Sequence, residues 1–133
     1  VGLAAGTGSL EAVLGGILVI AVADAMSDAL GIHISEESAP DSDARHVWTA
    51  TIATFLSKLL VAASFALPFF FAPLQPATAL ALGWGAFLLI ALSWQLARLQ
   101  AEPPLPIIAE HLLVGTLVVV LSHGVGLWVA HAF

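Results

Sequence analysis

The chain reads as an all-α protein of the membrane: a polytopic helix bundle of four full spans, preceded by the tail of an earlier helix. Three observations predict this. Composition comes first: 60% of the 133 residues are hydrophobic and only 9% charged, with a mean hydropathy of +1.04, whereas a soluble domain is roughly 25% charged. Second, four apolar runs each reach the roughly 20 residues that a helix needs to cross about 30 Å of hydrocarbon. Third, the segments between them are short, polar or rich in proline. That spacing predicts a single transmembrane domain, 1–133, with sequential helices as antiparallel neighbours. Nothing basic precedes the first apolar stretch, so no signal peptide is expected.

The elements follow in order. Val1 to Gly8 is small and apolar, too short to span alone, and by composition reads either as the end of a helix that starts upstream or as a frayed N-terminus. Ser9 is a natural N-cap, and Glu11 stands in the first turn, where the helix dipole favours an anion. The first span is expected over 10–34. The stretch Ser35 to Arg45 is the most polar in the chain, with Pro40 as a break. The second span, 47–71, carries Lys58 and meets Pro68, where a kink or an end is expected. A loop with Pro73 and Pro76 leads to the third span, 77–99. The hinge Gln100–Pro106 then leads to the fourth, 107–129. Trp48, Trp94 and Trp128 fall near span ends, the level that amphipathic rings favour. Arg45 and Arg98 lie in loops two spans apart, hence on one side. The positive-inside rule makes loops 35–46 and 99–106 cytoplasmic.

The most informative residues are Asp24 and Asp28, inside the first span. Each uncompensated charge at a span centre costs on the order of 3 kcal/mol, so two of them one turn apart point to an ion or proton pathway. At i,i+4 they share one helix face about 6 Å apart. In low dielectric two ionised carboxylates so close repel, and one holds a proton unless a cation is present. That is the logic of a cation/proton exchanger, in which metal binding expels the proton and protonation expels the metal. Beside them Ala23, Ser27, Gly31 and Ser35 put a small residue at every fourth position, with Ser27 and Gly31 expected to admit a close helix neighbour.

Lys58 is the plain structural partner. At 1.5 Å per residue, Asp24 lies roughly 16 Å and Lys58 roughly 17 Å from the same membrane face, so a buried Asp24–Lys58 pair is expected, leaving Asp28 for a substrate. The other role open to Lys58 is that of a built-in cation replacing a co-transported ion. His33, Glu36 and Glu37, with Asp41, Asp43 and His46, make an acidic, imidazole-flanked mouth. Oxygen plus imidazole suits Mn(II), Fe(II) or Zn(II), and the carboxylates concentrate divalent cations. Glu110 is expected to pair with Arg98 across the hinge, and His123 to be a hydrogen-bonded core residue.

Several classes are set aside. The absence of cysteine removes disulfides and thiolate metal sites, and a formal charge of −6 argues against nucleic-acid binding. There is no HExxH, P-loop or GxSxG pattern, so no enzyme is expected. A haem-carrying cytochrome needs histidines at matched depth on facing helices; His111 and His123 lie toward opposite ends of one helix.

The order of segments resembles the vacuolar iron transporter family. That family's second helix carries a pattern like A-x-S-M-A-x-G-E-Y-x-S, followed here by Ala25-Met26-Ser27-Asp28-Ala29-Leu30-Gly31-Ile32-His33-Ile34-Ser35. Its third helix often reads A-T-F-L-S, as at Ala53–Ser57. Its last helix has L-L-I-G and later Y-G-I-G, matched here by Leu112–Gly115 and His123–Gly126. The resemblance implies five membrane helices per subunit, a homodimer, and transport of Fe(II) or Mn(II) by proton antiport, with no permanently bound cofactor. On this resemblance Val1–Gly8 is the end of the family's first helix. Several positions depart from the pattern. Asp28 replaces a methionine thought to contact the metal, Ile32 a glutamate, His33 a tyrosine, and Lys58 an apolar residue. The family's long metal-binding insert shrinks to the 35–46 loop. A hard carboxylate in place of a soft thioether moves the expected cargo toward Mn(II).

The expectation is therefore a divalent-cation transporter in a lipid bilayer, with Asp28 and Asp24 as principal ligands and His33, Glu36 and Glu37 gathering ions at the mouth. The competing class is a non-transporting membrane assembly module, in which Asp24, Asp28 and Lys58 form a closed ionic lock.

Overall fold

The computed structural model describes residues 1–133. It is 87% helical with no strand, as the all-α reading requires. The helices are α1 (Gly2–Thr7), α2 (Leu10–Glu37), α3 (Ala44–Ser64), α4 (Leu67–Phe71), α5 (Leu74–Gln100) and α6 (Pro104–Ala132). Four segments are long and apolar enough to cross a membrane: Leu10–Glu37, Ala44–Phe71, Leu74–Gln100 and Pro104–Ala132. Their apolar side chains face outward, with Val19 69%, Leu60 69% and Leu113 73% exposed. Such surfaces are stable only in hydrocarbon, so the chain is an integral, multi-pass membrane protein of a lipid bilayer.

Helix ends follow backbone hydrogen bonding more closely than hydropathy. Gly8 takes the left-handed conformation at φ 59° and ends α1. Ser9 then caps α2 as expected, its Oγ accepting from the Ala12 N–H at 3.1 Å. α2 runs through Glu37, a turn past the expected end, because Ser35–Glu37 are polar but fully capable of helix. The second span is interrupted where proline predicted. Pro68 has no N–H for the Ser64 carbonyl, and the Phe65 and Ala66 amides bond three residues back, to Ala62 and Ala63 at 3.2 and 2.9 Å. This tight turn separates α3 from α4.

Prolines also set the remaining starts. α5 begins at Leu74 with Pro76 in its first turn, and α6 begins at Pro104. First-turn amides have no helical partner to lose, so both helices start three residues earlier than the hydropathy suggested. Ala101 ends α5 in a left-handed conformation, φ 56° and ψ 34°, and the Glu102 amide closes back onto the Ala97 carbonyl at 2.9 Å. That closure is a Schellman arrangement normally given to glycine.

The chain forms two compact units. One comprises residues 1–13 and 68–133. Within it α1 lies against α6 where Gly2 and Gly6 meet Ser122 and Gly126, both pairs spaced four apart, so the backbones nearly touch. An apolar groove of 480 Å³ runs along this seam past Leu3, Leu121 and Val125. α5 and α6 pack as an antiparallel pair, with Gly115 against Leu89. The other unit, residues 14–67, holds most of α2 and all of α3 and contains the acidic site.

Candidate functional site

Asp24 and Lys58 each stand at the midpoint of a 28-residue span. At 1.5 Å per residue that is about 20 Å from either end of the helical segment. α3 returns antiparallel to α2, and the side-chain contacts between them step in opposite directions along the two helices. Lys58 meets Asp24 and Asp28, His33 meets Thr51 and Trp48, and Glu36 meets His46.

The expected Asp24–Lys58 pair forms, with Lys58 Nζ 3.2 Å from an Asp24 carboxylate oxygen. The expectation that Asp28 is left free is not met, because the same ammonium also contacts an Asp28 carboxylate oxygen. Span depth sets the level of Lys58 but not its direction around the helix axis. Two carboxylates one turn apart are both within reach of a four-carbon stem. With all three groups ionised, the triad carries one net negative charge. The three side chains are 43 to 56% exposed, so the triad faces outward from its unit rather than into a core. A charged group at mid-membrane does not face lipid unaccompanied.

His33 has a defined orientation. Thr51 Oγ1 donates to the Val47 carbonyl at 2.7 Å, which spends its only hydrogen. The 3.0 Å contact with His33 Nδ1 is therefore an imidazole N–H donating to the hydroxyl. Nε2 makes no hydrogen bond, and the Trp48 ring packs edge-on with ring centres 4.8 Å apart. This is how a ligating histidine is commonly oriented. Glu36 is held by His46 Nε2 at 3.2 Å, while Glu37 is exposed beside it. No three His, Asp or Glu side chains converge closely enough to hold a metal ion.

The packing stripe differs from the one read in the sequence. Ser27 and Gly31 are exposed, and a Cβ on Gly31 would meet nothing within 4 Å. The buried small residues of α2 are Ala21, Ala25 and Ala29, at 1, 0 and 5% exposure. They share the four-residue spacing, and only the azimuth of the helix tells the two stripes apart.

Sequence reasoning also missed Ser93, the one buried polar side chain. Its hydroxyl donates to the Leu89 carbonyl and accepts from His111 Nδ1 at 2.7 Å. Arg98 lies over the Trp94 ring, 5.0 Å from its centre, rather than against Glu110, since i,i+4 neighbours on one helix are closer than residues across the hinge. His123 is exposed instead of in a core. No family model, curated protein or solved structure matches the chain.

Proposed function

We propose that this chain is a membrane transporter of divalent transition-metal cations, Fe(II) or Mn(II), working by proton antiport and related to the vacuolar iron transporters. The observation that carries the reading is the pair Asp24 and Asp28 on one face of α2 at mid-span, half exposed and countered by a single ammonium. Such a pair is expensive to keep in a membrane and offers four oxygen acceptors to a cation. Hard oxygen donors favour Mn(II) over softer ions. His33, whose Nε2 makes no hydrogen bond, and the Glu36 and Glu37 carboxylates collect the cation at the end of α2 and pass it inward. The outward-facing triad and the open Ser27–Gly31 surface support a homodimer, in which a second copy shields the charges and supplies the rest of the coordination shell. The span ends that carry Arg45 and Arg98, with the loops beside them, face the cytoplasm in this reading.

A second reading has a specific observation behind it. Lys58 contacts both aspartates, which is what a closed ionic lock that fixes assembly requires. The two readings part on proton movement. In proteoliposomes loaded with a pH-sensitive dye, an inward Mn(II) gradient drives protons outward if the chain is an antiporter. A lock gives no pH change above that of empty liposomes.

A further inference from the structure

We infer that Lys58 is a tethered competitor that occupies the Asp24–Asp28 pair when cargo is absent, and so selects divalent over monovalent cations. The inference deepens the transport reading and rests on it.

The ammonium touches one oxygen of each carboxylate, the place a bridging cation would take. It is the only lysine in the chain, and the other two basic residues, Arg45 and Arg98, lie toward span ends. Cargo binding is therefore an exchange rather than an addition. A singly charged ion that displaces Lys58 replaces one positive charge by another, gains no Coulomb energy, and still loses its own hydration. A divalent ion replaces one charge by two, and gains where the dielectric is low. The ammonium cannot remain beside a bound divalent ion, since like charges a few ångströms apart repel. Its flexible four-carbon stem lets it swing away from the two carboxylates. A bare dicarboxylate would lack this filter and would admit sodium or potassium.

The test uses the full chain reconstituted in bilayers, with free Mn(II) read by electron paramagnetic resonance. Lys58→Met is expected to bind Mn(II) about tenfold more tightly or better, because the built-in competitor is gone. Excess NaCl is expected to displace Mn(II) from this variant beyond the effect of N-methylglucamine chloride at equal ionic strength, while the wild type shows no such difference. Lys58→Arg, which keeps the charge, binds no more tightly than wild type. Should Lys58→Met not fold, the wild type still decides. Its single lysine is expected to react faster with an amine-directed reagent once Mn(II) saturates the protein, the N-terminal amine being resolved by peptide mapping. Equal or weaker Mn(II) binding by a folded Lys58→Met overturns the inference, as does a labelling rate that Mn(II) leaves unchanged. A folded wild type that binds no Mn(II) overturns the transport reading itself.

Discussion

Gly126→Ala is the substitution whose consequence the geometry defines most sharply. A Cβ built there collides with the Gly2 carbonyl oxygen and stands 3.0 Å from the Gly2 carbonyl carbon and 3.1 Å from the Ala5 Cβ. All three obstacles belong to α1, and two are backbone, so no rotamer change relieves them. α1 must move off α6. Overpacking of this kind costs about 1–3 kcal/mol. The close contact of Gly2 and Gly6 with Ser122 and Gly126 is lost when the seam opens. Gly124→Ala, two positions earlier along the same helix, is the control. Its Cβ would meet nothing within 4 Å, and exchanging glycine for alanine in a helix gains up to about 1 kcal/mol. The propensity gain applies to both variants, so Gly126→Ala is less stable than Gly124→Ala by the overpacking alone, about 1–3 kcal/mol. Equilibrium unfolding in mixed micelles measures the difference. Because the chain has no cysteine, Ala5→Cys adds a single reporter whose labelling accelerates in the Gly126→Ala background alone. Equal stabilities and equal labelling for the two variants would refute the close seam.

Ala101→Gly removes the strain of a left-handed alanine at the end of α5 and is expected to stabilise the protein by about 1 kcal/mol in the same unfolding assay. Ser93→Ala leaves the His111 Nδ1–H without its acceptor and is expected to cost about 1–3 kcal/mol, with a change in the His111 ring nitrogen resonances. Thr51→Val keeps the shape of the side chain but deletes the hydroxyl that orients His33. It is expected to cost about 1 kcal/mol and to weaken Mn(II) capture at the α2 end. If His33 takes no part in capture, only the stability changes.

Hydropathy and proline positions made the membrane fold legible, since a span is a property of a whole segment and tolerates local error. The break at Ser64–Leu67 followed from Pro68, and the start of α2 from Ser9. Helix ends were displaced by about three residues wherever polarity was taken for an end of helix, as at Ser35–Glu37. Along-axis depth was equally legible, because a fixed rise per residue brings Asp24 level with Lys58. Direction around the axis was not. Three departures share that origin: Asp28 joining the Lys58 pair, Ala21–Ala25–Ala29 being buried in place of Ser27–Gly31, and the Ser93–His111 bond. Each depends on how helices are rotated against their neighbours, and the weak amphipathicity of membrane helices leaves little in the sequence to fix that rotation.

The central claim is that Asp28 carries a metal cation across the membrane against protons. Its most direct test is Mn(II) uptake into proteoliposomes under an imposed pH gradient, comparing the wild type with Asp28→Asn. The account predicts gradient-dependent uptake by the wild type and its loss in the variant, with both proteins folded and equally incorporated. A folded wild type that takes up no more Mn(II) than empty liposomes would contradict it and leave the ionic lock as the better description of the triad.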